Sequence, residues 1–283
     1  MGLFSDVEKM GLGGVDMDKV FKEENKNPKS AKPKEVQKEE KKEEDLLFDR
    51  TYECPICDNS FKTKAFRVGK LKMIDQDEKL RPIYENHIDP MKYDAVTCPK
   101  CGYSALTNYF KPVTTAQLRT IRQEYCSNFN GIAEEIPCMS YEGAILRHKL
   151  SLVCALKRNA KSSEKAYIFL KMAWLLRGQQ EELEAENIKD KQLQEAEREC
   201  IEKAYEGFKA AFSKEPFPMC GMDEMSLRYL MAVLAHEVGE QQESVRMLAT
   251  VLTSKTAPQR IKDKALDLKE QIKKEVEAEK KKG

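Results

Sequence analysis

Four cysteines in this chain are spaced for metal chemistry. Cys54-Pro55-Ile56-Cys57 and Cys98-Pro99-Lys100-Cys101-Gly102-Tyr103 are two Cys-x-x-Cys turns, each able to aim a pair of thiolates at one ion. Zinc favours four tetrahedral ligands, and two such turns supply them without a preformed pocket. Four thiolates leave no position for a water, so Cys54, Cys57, Cys98 and Cys101 predict one structural Zn2+ and not an open catalytic one. The second pair is the stronger signal. It has proline where the turn needs a fixed φ, and Gly102 where the chain leaves the metal with φ > 0. The first pair shares the proline but has Asp58 at the exit, a residue less tolerant of left-handed geometry. Forty residues separate the pairs, more than the roughly 15–20 of compact sites, and an intervening β layer is expected to close the site. A thioredoxin-like dithiol would need one pair at a strand-to-helix junction, so two turns favour metal over redox chemistry.

Little else in the sequence offers catalysis. His236-Glu237-Val238-Gly239-Glu240 has glutamate where a zinc-protease helix needs its second histidine. His148 sits on an apolar stripe and reads as a packed core histidine, while His87 reads as a spare ligand or a surface group. No Gly-rich phosphate loop and no Gly-x-Ser-x-Gly elbow is present. The expectation is a non-enzymatic protein.

The elements that position the cysteines are short strands. From Leu46 to Pro112 the texture is one of short alternating runs: Tyr93–Thr97 reads as a strand feeding the second turn, Phe66–Ile74 as another with a bulge at Gly69, and Asp75–Lys79 as a polar turn. Lys62, Lys64, Arg67, Lys70 and Lys72 form a basic strip beside Phe66 and Val68, a pattern that fits phosphate with an aromatic platform. Residues 47 to 113 nevertheless hold eleven basic and nine acidic groups, which favours a solvated strand face. Nucleic acid is therefore the alternative partner and not the favoured one.

Beyond residue 113 the pattern is helical. Thr114 and Gln117 form a capping box. Tyr141, Ala144, Ile145, His148, Leu152, Ala155 and Leu156 follow one helical stripe, while Leu146, Leu150 and Val153 predict a second buried face. Later stripes run through Ala166, Leu170, Ala173 and Trp174, then Ile201 to Phe212, Leu227 to Val238, and Val245, Leu248 and Leu252. Thr256 and Gln259 repeat the capping box ahead of a helix through Ile272 and a charged tail. Residues 226 to 258 approximate one unit of about 34 residues, helix–turn–helix, as in tetratricopeptide repeats. Ser244 and Leu248 depart from that pattern. The predicted fold class is α+β, mostly α: a flexible N-terminal segment and charged linker over 1–45, a zinc-ribbon-like head over 46–113, and a tetratricopeptide-like antiparallel helical body over 114–283.

Net charge is +1 over 283 residues with 34% charged, which calls for neither nucleic acid nor an anionic membrane. There is no apolar run long enough to span a bilayer, no signal peptide, and Asp6 stands where N-myristoylation wants Ser or Thr. The five remaining cysteines are scattered singly and read as small buried hydrophobes. A cytoplasmic protein is expected, with no membrane. Residues 28 to 45 carry six lysines and six acids and read as a solvated linker. The apolar residues of the first 21 positions read either as a segment that docks on this protein or a partner, or as a frayed end.

The two cysteine turns, the Asp75/Asp77 turn, Asp89-Pro90-Met91-Lys92-Tyr93, the Ser104 that follows the second turn, and Gly239-Glu240-Gln241-Gln242-Glu243-Ser244 together resemble the bacterial domain of unknown function 2225 family over residues 46 to 275. The resemblance implies a zinc-ribbon-like head on a helical-repeat body, and it implies no activity. Stacked helices beside a closed metal site predict a protein or peptide partner on the helical domain.

Overall fold

The computed structural model describes residues 42–67, 69–133 and 137–280, so the apolar segment 1–21 and most of the charged linker lie outside the described residues. The end of that linker does not: Glu43–Leu46 form a 3-10 turn, with Glu43 bonded to Lys92 at 2.8 Å and to the Tyr93 hydroxyl at 2.5 Å. Those two partners select an ordered turn where charge density alone predicts solvated chain.

Three antiparallel hairpins follow. β1 (Leu47–Glu53) pairs with β2 (Ser60–Phe66), β3 (Met73–Gln76) with β4 (Pro82–Tyr84), and β5 (Ala95–Thr97) with β6 (Ser104–Leu106). The first and third turn at the cysteine pairs, with Glu53 opposite Ser60 and Thr97 opposite Ser104 in register. Phe66–Ile74 is therefore not one strand. The chain turns between β2 and β3, with Lys70 N–H donating to the Arg67 carbonyl at 3.2 Å and Gly69 at φ +85°. Tyr93 likewise ends a 3-10 turn (Pro90–Tyr93) that Asp89 caps by accepting from Met91 N–H at 2.9 Å, so the strand starts two residues later than periodicity suggests.

Seven α-helices follow among the described residues: α1 (Thr115–Glu124), α2 (Tyr141–Lys157), α3 (Ser162–Ala185), α4 (Lys191–Phe212), α5 (Glu224–Glu237), α6 (Gln241–Thr253) and α7 (Gln259–Lys280). The fold is α+β and mostly α. The Thr114–Gln117 capping box is formed. From α2 onward each helix packs on the next, and the α5–α6 hairpin turns at Gly239 with φ +84°. Ser244 stands fully buried in that hairpin, its hydroxyl donating to the Ala232 carbonyl at 2.7 Å. α7 begins at Gln259 and not at Thr256, whose hydroxyl instead pairs with Ser254 at 3.0 Å. Val245 is exposed, and Met247, Leu248 and Val251 carry the buried stripe of α6.

One sequence expectation holds only in part. Leu150 is half-buried and, with Leu146, faces Tyr125, Phe129 and Ile132 across a cavity, whereas Leu146 is 45% and Val153 39% exposed, so the second apolar face of α2 is incompletely covered among the described residues. The other face packs on β5, β6 and α3.

The β3–β4 hairpin joins the strands to the helices. Its turn looks solvated in sequence, yet Lys79 pairs with Glu237 at 2.5 Å, Tyr229 donates to the Glu78 carbonyl at 3.0 Å, and Lys264 donates to the Gln76 carbonyl at 2.7 Å. Arg81 donates to the Glu181 carboxylate of α3 with both terminal guanidinium nitrogens. Polar residues here dock a hairpin on three helices.

Candidate metal centre

Each cysteine pair sits in a knuckle whose backbone bonds repeat. In the first, Asp58 N–H donates to the Cys54 carbonyl at 2.9 Å and Cys54 N–H to the Asn59 carbonyl at 3.0 Å. In the second, Gly102 N–H donates to Cys98 at 2.9 Å and Cys98 N–H to Tyr103 at 2.9 Å. Equivalent bonds at equivalent spacing give two knuckles of one geometry. The exit residues match as well, with φ of 55° at Asp58 and 77° at Gly102. Asp58 adopts the left-handed conformation that its residue type makes the less comfortable, because the knuckle bonds require it.

The four Sγ atoms lie within 4.8 Å of one another, with Cys54 to Cys101 at 3.5 Å and Cys57 to Cys98 at 3.7 Å. A tetrahedron of sulfurs about 2.3 Å from a central ion has edges of about 3.8 Å. The cluster thus has the size of a four-thiolate cage. Backbone N–H groups of Ile56 and Cys57 face the Cys54 sulfur, and those of Lys100 and Cys101 face Cys98. Such donors stabilise a ligating thiolate and hold its orientation.

Electrostatics also favour a cation. The thiol of Cys54 is pushed up by its hydrogen bond to Cys101 and by burial; Cys98 is raised by burial; and Cys101 is raised first through Cys126. Thiols this close and this buried do not ionise together alone, and a divalent ion reverses that penalty. These residues fit a tetrahedral metal, and what a bound ion supplies there is a cross-link between the two hairpins.

Of the described residues between the cysteine pairs, β2 packs Phe61 against the cysteines, whereas the β3–β4 hairpin goes to the helices and does not cover the site, which is closed from the α1 side. Arg122 Nε donates to the Ile56 carbonyl at 2.8 Å, tying α1 to the first knuckle. Tyr125 donates to the Gly102 carbonyl at 2.9 Å, tying the following turn to the second. A Cβ on Gly102 would lie 2.3 Å from the Phe129 ring, so the exit glycine also admits that ring. Around the cage, Tyr52, Phe61, Tyr103 and Phe110 form an aromatic cluster, and Ile121 of α1 and Cys154 of α2 share its core. The Cys154 thiol accepts from Ser104 N–H at 3.4 Å, and burial pushes it up to about 11.

Arg122, Tyr125, Cys126 and Phe129 carry no motif, and their place beside the cysteines is not readable from the sequence.

The basic strip is distributed over different elements. Lys62 and Lys64 lie on β2, where Lys64 pairs with Asp49 at 2.8 Å. Arg67 follows the strand and lies 5.7 Å from the Phe48 ring centroid, while Lys70 belongs to the turn and Lys72 precedes β3. His148 is fully buried, its Nδ1 on the Ala144 carbonyl at 2.8 Å, and burial lowers it to about 4. His87 is exposed on a 3-10 turn, away from the cysteines. His236 faces Glu275 at 3.1 Å. Among the described residues the four cysteines form the one group able to hold a metal, and no helix is long and apolar enough to cross a membrane.

The family model described as an uncharacterized protein conserved in bacteria (DUF2225) matches residues 47–272. No curated protein and no solved structure matches the chain.

Proposed function

The chain belongs to this bacterial family, and from that premise we propose that it is a cytoplasmic, non-enzymatic interaction module whose hairpins are locked by one structural Zn2+. The observation that carries the metal assignment is the set of sulfur distances, 3.5 and 3.7 Å, close to the edge of a zinc tetrathiolate. An all-sulfur tetrahedral cage suits zinc, with iron as the competing occupant. Four protein ligands fill the coordination sphere, so the ion holds structure and does not activate water.

The partner surface is the outer face of α2, where Leu146 and Val153 stand exposed on a helix whose other side is rigidly packed. Apolar side chains on a held helix suit an apolar segment of a protein or peptide.

Elemental analysis of the purified chain tests the first part, with one zinc and no iron per chain expected. Cross-linking capture from the source cells tests the second. A partner held by the wild type and lost in Leu146→Glu/Val153→Glu, with zinc content unchanged, supports the surface. Equal capture by both proteins, or turnover of a small molecule by the purified protein, refutes it.

A further inference from the structure

A cavity of about 400 Å3 opens between the end of α4, the first half of α5 and α6. None of its lining residues belongs to the hairpins, to α1 or to α2, so it is separate from both the metal cage and the proposed partner surface. Its apolar part is Phe212, Met231 and Met247. The two methionines are buried members of the helical core, and Phe212 is half-buried against it. Methionine makes an adaptable lining, because its unbranched thioether chain shifts to fit what enters.

The charges of this lining do not balance. Three cations, Lys209 of α4, Arg228 of α5 and Arg246 of α6, stand with one carboxylate, Glu243. Arg228 lies with its guanidinium 4.6 Å from the Phe212 ring centroid and bonds Glu224, one turn back on its own helix, at 2.8 Å. Arg246 bonds Glu243, also on its own helix, at 2.5 Å, and its side chain is 75% exposed. Exposed pairs within one helix are weak, and a guanidinium held by one carboxylate keeps further N–H groups for a second acceptor. Lys209 rests 5.3 Å from the Tyr205 ring centroid and has no carboxylate partner among the described residues. Even with Glu224 counted, cations outnumber carboxylates here.

This arrangement favours anions at the rim and an apolar group within. A small acid with one charge meets one cation of three, each carried on a different helix. A peptide places carboxylates at several points along its chain with an apolar side chain between them. We propose that the cavity between α4, α5 and α6 docks an acidic peptide segment, one apolar side chain entering between Phe212, Met231 and Met247 while flanking carboxylates meet Lys209, Arg228 and Arg246. The site does not depend on the α2 surface.

The test uses the full chain with carbon-13 methionine methyls, the Met231 and Met247 signals being assigned through Met231→Leu and Met247→Leu. Four blocked pentapeptides serve as probes: leucine flanked on each side by two glutamates, the same peptide with glutamines or with lysines in place of the glutamates, and the glutamate peptide with glycine at its centre. The glutamate–leucine peptide is expected to shift both methyls saturably with a dissociation constant of about 0.1–1 mM, as suits a short segment that must be ordered on binding. The glutamine and glycine peptides should bind about fivefold or more weakly, and the lysine peptide more weakly still. Raising salt from about 50 to about 500 mM should weaken the glutamate peptide at least about fivefold. Lys209→Glu, at an exposed position, should weaken it about tenfold or more at an unchanged melting temperature. Thr250→Phe, which fills the cavity from an exposed lining position, should abolish the shifts. Leu146→Glu/Val153→Glu should bind the peptide as the wild type does. No saturable shift, equal binding of the glutamine peptide, binding unchanged in both Lys209→Glu and Thr250→Phe, or loss of binding in Leu146→Glu/Val153→Glu would each overturn the proposal.

Discussion

Replacing Cys98 or Cys101 by serine removes one of four sulfurs from a cage whose members lie within 4.8 Å of one another. Structural zinc contributes on the order of 10–16 kcal/mol in small metal domains, so one ligand of four accounts for about 2.5–4 kcal/mol. That is a loss of roughly two to three decades in zinc affinity. The structure sets how far the damage spreads. Ile121 of α1 and Cys154 of α2 share a core with Cys54, Cys98 and Cys101, whereas Leu227, Leu230, Leu248 and Val251 of α5 and α6 belong to another. Loss of metal should therefore loosen β1, β2, β5, β6, α1 and the knuckle-facing side of α2, and leave α5 to α7 intact. The assays are competition against a chromophoric chelator for affinity and amide hydrogen exchange for the spread. Protection should fall by several decades in residues 115–124 and remain at the wild-type level in residues 224–253. Full zinc retention in both variants refutes the cage, and equal loss of protection in α5 and α6 refutes the separation of the two cores.

Three further outcomes are expected. Gly102→Ala combines left-handed strain of about 1–2 kcal/mol with displacement of the Phe129 ring, costing about 1–3 more, while Asp58→Gly relieves strain and gains at most about 1 kcal/mol; chelator-challenged melting of both variants checks the opposite signs. Lys171→Met leaves Asp94 without its partner and should destabilise by roughly 2–3 kcal/mol, less than the 3–5 of a fully buried pair because the Asp94 side chain is 33% exposed; adding Asp94→Asn should recover much of that loss in urea unfolding. His148 is held neutral in the fold, with its value lowered from 6.5 to about 4 by burial, so the unfolded chain takes up its proton first. Its contribution is complete above pH 6.5 and declines by up to roughly 3 kcal/mol as pH falls towards 4. His148→Leu should remove that component of the pH dependence, and a wild-type and variant difference that stays constant over this window would contradict it. The charges facing His148, Asp94 and Lys171, remain in both proteins, so their influence largely cancels in the difference.

How much of this was legible in the sequence follows from whether the information is local. The clustering of the four cysteines was, because a Cys-x-x-Cys turn is complete within six residues and its proline and left-handed exit are written beside it. The helices were as well, since a buried stripe repeats every turn, and Ala166, Leu170, Ala173 and Trp174 lie buried as their spacing predicts. Polar contacts between distant segments were not. Lys79 closes a polar turn and Arg81 lies just beyond it, and nothing near them indicates that Glu237 and Glu181 wait more than 90 residues away. The same blindness concealed Arg122, whose bond to the Ile56 carbonyl spans 66 residues. Apolar periodicity erred in the opposite direction at Leu146 and Val153, because a stripe reports the wish to be covered and not the presence of a cover. That asymmetry joins the proposed metal to the proposed function. A metal held by the four cysteines would fix β5 and β6, which pack on the inner face of α2, and a helix so held would present its outer apolar residues in one arrangement. An interface presented in one arrangement loses little ordering entropy when a partner binds, which is what the proposed clamp would contribute to recognition.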